Sequence, residues 1–510
     1  MLDKQKNSKE GVFMFDTIVT EEELKFNELE KKIFKFVCML GCLILKNLLE
    51  IQDRKILKTL DKGIFRNKGL RQTTIKTVMG EVEYKRRIYG AMDNSGNIIE
   101  YVYLLDEVLK INKTYSFSQN ITEKVLEAVA NTTSYRKAAD TIAGTTAETI
   151  SHEMARKITI GTGEKIEQKE KELVALHKED KLISQGKIVP TLFEEADGLW
   201  LNLQGKDRKE HIKKLEAKAK KENKEFKIPK RIKSEIKLHM TYEGCKDDNR
   251  NTLVEKMYTV GFMKSKELKE IKDSKIYQKY DISKIQLRVL NGDGAIWIRN
   301  IANEKTIYQL DNLHIQQAIT RNIPKDYRAG IHTLLDNKEY DLIYPYVEEV
   351  KYDSGGEEQT VKKLAQLQTY FEEGLPRYTD IVDTIPKAPE GMIYNKLGTM
   401  ESQIFTVLSQ RLNSGRKAFS KKGATYLGKV CAFKVENSIE ELFKKIETPI
   451  AIDNSVEEWI KEIELNVEQM KKTKIEKRHE IVAYKKGHLA GNKNVQKLAE
   501  LKPLHELVYR

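Results

Sequence analysis

Residues 188–203 read Ile188-Val-Pro-Thr-Leu-Phe-Glu-Glu-Ala-Asp-Gly-Leu-Trp-Leu-Asn-Leu203. A short apolar run bounded by turn and polar residues is the signature of a largely buried strand. This one carries Glu194, Glu195 and Asp197 inside it. An ionised carboxylate in such a place is costly unless something compensates its charge, and a bound cation is the usual compensation. A second stretch repeats the arrangement: Asn291-Gly-Asp-Gly-Ala-Ile-Trp297 places Asp293 after an apolar strand, again followed by Gly and by Trp a few positions on. An Asp-Gly pair alone also makes an ordinary turn. The matching context of Asp197 and Asp293 is what marks them as a pair able to share hard divalent ions for phosphoryl transfer, chemistry that needs two or three convergent carboxylates.

Outward from these strands the texture is mixed. Lys206–Arg231 holds twelve Lys or Arg and five acidic residues and reads as a solvated arm. Glu235–Tyr242 and Leu253–Phe262 alternate like an antiparallel pair, Lys264–Tyr280 is helical, and Ile285–Leu290 and Thr306–Leu310 are strands. A helical stretch then runs to about Asp380, broken near Ser354-Gly-Gly, and a loop from Ile385 to Thr399 leads into a helix from Met400 to Leu412. Strand, strand, strand, helix, strand predicts an α/β core with a mixed sheet. Glu401 is the third candidate carboxylate: it follows Gly398-Thr-Met and opens an amphipathic helix, where acidic residues are favoured in any case.

Towards the N-terminus, Leu24, Leu29, Ile33, Phe36, Val37, Leu40, Leu43, Ile44 and Leu48 recur at helical spacing, and Phe36–Leu45 reads as part of a buried core helix. A small β unit follows around Met79-Gly80. Residues 121–160 return to helix, with a turn at Gly144-Thr-Thr and a second helix expected to begin near Thr146, the helix-turn-helix pattern that packed helical pairs also share. Its groove-facing candidates are Thr145, Thr146, Thr149, Ser151 and His152, with Arg156 and Lys157 against phosphates. Residues 161–185 read as a charge-rich helical linker. The whole chain has 510 residues, 59.1 kDa, 90 Lys+Arg against 77 Asp+Glu and a pI near 9.1, a basic excess that argues for a polyanionic partner. Cys38, Cys42, Cys245 and Cys431 show no zinc spacing and cannot form a disulfide framework, so a reducing compartment is expected. Val12–Phe15 is too short for a signal core, and no apolar run approaches the about 20 residues of a bilayer span, which places the protein in the cytoplasm with no membrane partner.

Ordered blocks also carry a resemblance. Glu195-Ala-Asp-Gly-Leu-Trp, Gly292-Asp-Gly-Ala-Ile-Trp-Ile, Leu310-Asp-Asn-Leu-His, Gly398-Thr-Met-Glu and Arg411-Leu-Asn-Ser-Gly-Arg-Lys-Ala-Phe-Ser-Lys-Lys-Gly-Ala resemble those of the ISLre-type insertion-sequence transposases. These belong to the Mutator-like group of DDE transposases and are also catalogued as an uncharacterised protein family. The likeness extends upstream through Gly69-Leu-Arg-Gln-Thr-Thr, Gly80-Glu-Val-Glu-Tyr-Lys-Arg-Arg-Ile-Tyr, Tyr103-Leu-Leu-Asp and Ser134-Tyr-Arg-Lys-Ala-Ala, so it covers roughly 69–423. Phe419 stands where Trp is expected, and Met400 is a local variation.

The resemblance implies a ribonuclease H-like core in which Asp197, Asp293 and Glu401 form the catalytic, metal-holding triad, with two Mg²⁺ ions expected and Mn²⁺ able to substitute. Asp311 and His314 would be site-adjacent, and Arg411 and Arg416 DNA-binding. The implied organisation is a helical region at 1–68, a small β unit at 69–120, a helical region with the helix-turn-helix candidate at 121–186, the core at 187–430 and a charged helical tail at 431–510. The core would include the basic arm 206–231 and a helical insertion at about 312–389. The implied partners are double-stranded DNA, both element ends and target, and further copies of the chain in a homodimer or higher synaptic complex, nucleoid-associated. Two other readings stay open: a non-catalytic DNA-binding protein derived from a transposase, and a ribonuclease H-fold nuclease.

Overall fold

The computed structural model describes residues 25–93, 95–111, 116–246, 252–355, 357–372, 374–380, 385–415 and 417–451. Arg416 and most of the charged helical tail expected at 431–510, from residue 452 on, lie outside them. The chain forms two compact units. Among the described residues, one comprises the chain up to Ala128 with Arg136–Ile158, and the other Val129–Tyr135 with the chain from Thr159 onwards.

In the first unit, helix α1 (Phe26–Thr59) packs on an antiparallel meander of β1 (Phe65–Thr77), β2 (Gly80–Met92) and β3 (Ile98–Val102). Leu49 and Ile56 of α1 share one apolar core with Val82, Tyr84 and Tyr89 of β2, and Asp53 pairs with Arg87. The burial expected for Phe36–Leu45 does not occur. Cys38 alone is buried there, while Val37 is 56% and Met39 62% exposed. A three-stranded sheet covers a single helical stripe, here Cys42, Leu45, Leu49 and Ile56, and the other faces of α1 remain outside it.

Helix α2 (Gln119–Asn131) is followed by α3 (Tyr135–Thr145) and α4 (His152–Lys178). The second helix of the pair therefore starts at His152, not near Thr146. The Thr146 hydroxyl is buried and donates to the Ile142 and Glu148 carbonyls, and Ser151 Oγ accepts the Met154 N–H at 3.1 Å, a cap that starts the helix six residues late. Thr145, Thr149, Ser151, His152, Arg156 and Lys157 are exposed; Thr146 is not.

The second unit is built on a sheet of β4 (Thr191–Asn202), β5 (Lys233–Tyr242), β6 (Met257–Gly261), β7 (Leu287–Gly292) and β8 (Thr306–Leu310). Its order is β8-β7-β4-β5-β6. The β8, β7 and β4 strands run parallel, and β5 is antiparallel to both β4 and β6. Alternation along β4 gives each face its own partner. Ala196 joins a core with Leu268 of α6 (Ser265–Lys279), while Phe193 stacks with Tyr242 and meets Tyr378 and Tyr394 edge-on. Glu194, beside Ala196's face, is fully buried: it accepts from Lys272 Nζ and His239 Nε2 at 2.9 Å each, and from Arg288 Nη2 at 2.6 Å. Burial alone would raise this carboxyl, but Lys272, Arg288 and His239 overcome it and hold it well below its ordinary range.

The stretch expected as a solvated arm is unburied throughout, and its part up to Lys221 is helical: helix α5 (Gly205–Lys221) is laced by pairs such as Lys220–Glu216 at 3.1 Å. Residues 161–178 are helical, as expected, but they continue α4 and pack within the second unit. Gly163 lies so close to Tyr426 that a Cβ would stand 2.3 Å from that residue's own, and Glu170 pairs with Lys275 and Lys429. After β8 come α7 (Asn312–Asn322), α8 (Arg328–Asp336), α9 (Tyr340–Asp353) and α10 (Glu358–Phe371), packed around a core of their own that includes Ile315, Ile331, Val347 and Leu367. Helix α11 follows as three joined segments, Met400–Gln403, a π-helical Ile404–Ser409 and Gln410–Leu412, and then α12 (Lys421–Glu436) packs on β6. Among the described residues no helix is long and apolar enough to cross a membrane.

Candidate active site

The parallel register sets one row of residues side by side: Glu195 on β4 opposite Asn291 on β7, and Asn291 opposite Gln309 on β8. Two positions further on come Asp197, Asp293 and Asp311: Asp293 and Asp311 stand one residue past the carboxyl ends of β7 and β8, and Asp197 lies within β4, one residue past the end of its pairing with β7. In open sheets containing parallel strands this is the end that binds ligands. Asp197, Asp293, Asp311, His314 and Glu401 all line one narrow cleft of about 20 Å³, room for about one water-sized sphere.

Each side chain is placed by a separate device. The Asp197 carboxylate accepts the Gly198 N–H at 2.6 Å, and that of Asp293 accepts the Ala295 N–H at 2.8 Å. Asp311 caps α7, accepting the N–H of Leu313 at 2.9 Å, and its second oxygen accepts Asn291 Nδ2 at 2.8 Å. That cap orients the first turn of α7 and brings His314 to the cleft.

Glu401 is held from below. The fully buried Glu195 carboxylate accepts the backbone N–H groups of Gly398, Thr399 and Met400 at 3.1, 3.0 and 3.2 Å. Its other oxygen accepts the hydroxyls of Tyr242 at 2.8 Å and Thr399 at 2.9 Å. One carboxylate thus ties the strand bearing Asp197 to the helix start bearing Glu401, where the N–H groups and the helix dipole both favour a negative partner. Gly398 makes the approach possible: it sits at φ +116°, and a Cβ there would stand 3.1 Å from Asp311 Oδ2.

Burial, reinforced by the Asp293 carboxylate, pushes the Asp197 carboxyl up to about 6, against the opposing pull of the Gly198 N–H and His314. Glu235, whose carboxylate lies over Gly198, is also raised, by burial first and then by Asp293. Among the described residues no Lys or Arg forms an ion pair with Asp197, Asp293 or Glu401. The surplus of negative charge and the all-oxygen donor set suit a hard divalent cation. As placed, no three His, Cys, Asp or Glu side chains among the described residues form a group that could hold an ion, and Glu401 stands exposed at the rim.

Arg411 is not at a surface. It is 2% exposed, its Nε and Nη1 donate to the carbonyls of Val129 and Thr133 at 2.9 and 3.0 Å, and its guanidinium lies over the Tyr135 ring. The expected DNA contact is a structural tie instead, because α11 needs an anchor to the 129–135 segment. Asn291 and Glu235 escaped the sequence reading. Asn291 could have been found from its place two residues before Asp293, on the same strand face, but nothing local marks Glu235.

A family model described as an uncharacterised protein family, UPF0236, matches residues 19–448. The chain belongs to this family. The matched span includes every cleft residue named above. No curated protein matches the chain. Among solved structures, the chain is similar to the Drosophila P element transposase strand transfer complex, at 10% identity over 67% of this chain and 83% of that one. The TM-score is 0.19, too low for the likeness to carry an argument about fold or chemistry.

Proposed function

We propose that the chain is a DDE transposase of the ISLre type, cutting a DNA phosphodiester at the ends of its own element and joining the freed 3′-hydroxyl to a target phosphate. The observation that carries the reading is the convergence of Asp197, Asp293 and Glu401, from three distant segments, on one cleft where no Lys or Arg among the described residues pairs with them. The strand order, with β5 running against its neighbours, supports reading the sheet as a ribonuclease H-like core.

Asp197, Asp293 and Glu401 would hold two Mg²⁺ ions, or Mn²⁺ in their place. Bound there, the ions supply activation of the attacking oxygen and charge stabilisation at the leaving one. The chain's own residues position the rest. Glu195 fixes the helix start of Glu401 relative to β4, Asn291 steadies Asp311, and His314 offsets the negative charge around Asp197. The exposed basic helix α5 and the exposed Arg156 and Lys157 would hold phosphates. Arg156 is drawn towards Glu153 by a 2.7 Å pair, which must yield for that contact. Two ends held together imply a dimer or larger assembly of the chain.

The test is cleavage and strand transfer on DNA carrying the gene's own flanking ends, with Mg²⁺ or Mn²⁺, comparing wild type with Asp197→Ala, Asp293→Ala and Glu401→Ala. Joined products lost in all three variants are the expected result. End binding without cutting by the wild type would favour a non-catalytic DNA-binding protein, and cutting without joining a nuclease.

A further inference from the structure

Beyond Glu401, the same face of α11 continues into a second and larger cavity, of about 540 Å³, within the range of small-molecule pockets. Phe405, Ser409 and Asn413 line it from the helix, and Asn131, Thr132 and Thr133 from the end of α2 and the loop after it. Glu401, Phe405, Ser409 and Asn413 are spaced by four. In an α-helix that spacing overshoots a turn of 3.6 residues, and the wider π turn at Ile404–Ser409 counters the drift, so the four lie along one stripe.

The chemistry of the walls is specific. No charged side chain among the described residues lines the cavity; amides and hydroxyls do, with Gln410 and Ser414 completing the rim. Amides offer donors and acceptors together, as the edge of a nucleobase requires. Phe405 is 57% exposed, an aromatic face left open to one side. The loop wall is held rigidly from behind: Arg411 ties down the carbonyls of Val129 and Thr133, and Lys417 Nζ bonds Ser414 Oγ at 2.7 Å and the Thr133 carbonyl. Phe405 lies one helical step of four residues, about 6 Å, beyond Glu401, which spans one to two nucleotides at about 3.4 Å rise per base.

We propose that this cavity receives one unstacked nucleobase of the cut strand, stacked on Phe405 and held at its edge by the surrounding amides, so that the neighbouring scissile phosphate is fixed at the carboxylate cleft. The proposal rests on the DNA-cleaving reading above. Enzymes that do chemistry on a base extrude it into such a pocket, which shows the motion is accessible at a cost of a few kcal/mol, and an aromatic platform tolerates any base because every base has a π-face.

The experiment places 2-aminopurine, one position at a time, across the nucleotides flanking the scissile phosphate of a duplex that the wild type cuts, with Ca²⁺ replacing Mg²⁺ during the fluorescence reading. The expected result is a rise at one position, one or two nucleotides from the cut. Phe405→Ala should abolish the rise and slow cutting roughly 5- to 100-fold, as expected for one lost stacking contact, while Phe405→Trp restores both. Because Phe405 is exposed, its truncation leaves the fold intact, and an abasic nucleotide at the responding position should bring wild type and Phe405→Ala to equal rates. A duplex that is bound and cut with no responding position overturns the proposal and leaves the transposase reading standing. So does a Phe405→Ala variant with unchanged signal and rate. A chain that neither binds nor cuts any duplex overturns both.

Discussion

Replacing Glu195 by Gln is the sharpest probe of how the cleft is built. The wild-type carboxylate accepts three backbone N–H groups on one oxygen and two hydroxyls on the other, and Asn291 Nδ2 approaches the first at 3.4 Å. A Gln side chain keeps the shape. Its carbonyl can serve the N–H groups, and the hydroxyls of Tyr242 and Thr399 can turn to accept from its amide. What changes is the charge: burial raises the Glu195 carboxyl above its ordinary range, helped by Asp311 and against the pull of the Tyr242 and Thr399 hydroxyls and the Gly398 N–H, so removing it relieves desolvation while weakening the three N–H bonds by roughly 1 kcal/mol each at the start of α11. The two effects oppose each other in stability, and what remains is looser placement of Glu401. Residues that orient metal ligands typically cost 10- to 100-fold in metal affinity or activity when changed. The assay is the rate of DNA cleavage as a function of Mg²⁺ concentration, beside the melting temperature of the same preparation. The expected outcome is a melting temperature little changed with a cleavage rate down about 10- to 100-fold and a Mg²⁺ requirement shifted upwards. A Glu195→Gln protein that cuts at the wild-type rate with the wild-type Mg²⁺ dependence would refute the reasoning, because Glu195 would then not position Glu401.

Asp197→Asn should abolish cleavage and yet stabilise the metal-free protein by up to about 3 kcal/mol near neutral pH, since it removes a buried charge whose pKa is pushed up to about 6; urea melts without metal check this. Millimolar Mg²⁺ should raise the wild-type melting temperature by the linkage of a native-state ligand, about 2.7 kcal/mol at a hundredfold excess over the dissociation constant, and should do so far less for Asp197→Asn. Glu170 gives the opposite pH signature. Despite its burial, Lys275 and Lys429 pull its carboxyl from the ordinary glutamate range down to about 2, so this pairing contributes about 3 kcal/mol that is fully present above the unfolded value and is lost as pH falls through the folded one. The stability gap between wild type and Glu170→Gln, measured by denaturant melts, should be widest at pH 7 and shrink steadily towards pH 2. Arg411→Lys should lower the melting temperature by breaking the ties to Val129 and Thr133 while leaving the salt dependence of DNA binding unchanged; a smaller salt slope would restore Arg411 to the DNA contacts.

The strands of the second unit could be read in the sequence because their apolar runs are short and bounded by Gly, Asp and Asn; β8 occupies the predicted Thr306–Leu310. Helices were harder wherever charge hid the pattern. Lys206–Arg231 looks like a solvated arm because none of α5 is buried, so nothing in its composition separates an exposed helix from a coil. The error at Phe36–Leu45 runs the other way. Hydropathy reports how apolar a segment is, not how many neighbours the tertiary structure supplies, and one three-stranded sheet covers only one stripe of α1. At Thr146 a side-chain hydroxyl competed with the helical backbone and delayed α4 to His152.

The cleft itself was half legible for a physical reason. Asp197 and Asp293 announce themselves because a carboxylate within or just after an apolar strand contradicts its surroundings, and that contradiction is local. Glu401 lacks it: an acidic residue in a first helical turn agrees with its surroundings, so only the tertiary structure, through Glu195 beneath it, separates it from the other acids. Once the strand order is known, the two-residue period of β4 does the rest. Glu195 and Asp197 share a face, and parallel pairing copies that spacing onto Asn291 with Asp293 and onto Gln309 with Asp311. The inner row is neutral or hydrogen-bonded throughout, with Gln309 Nε2 donating to Asn291 Oδ1 at 3.1 Å, while the outer row is left to the cleft. A slip of one residue in either pairing would turn the carboxylates of the outer row to the opposite face of the sheet, so the polar ladder of the inner row is also what sets the register of the carboxylates above it.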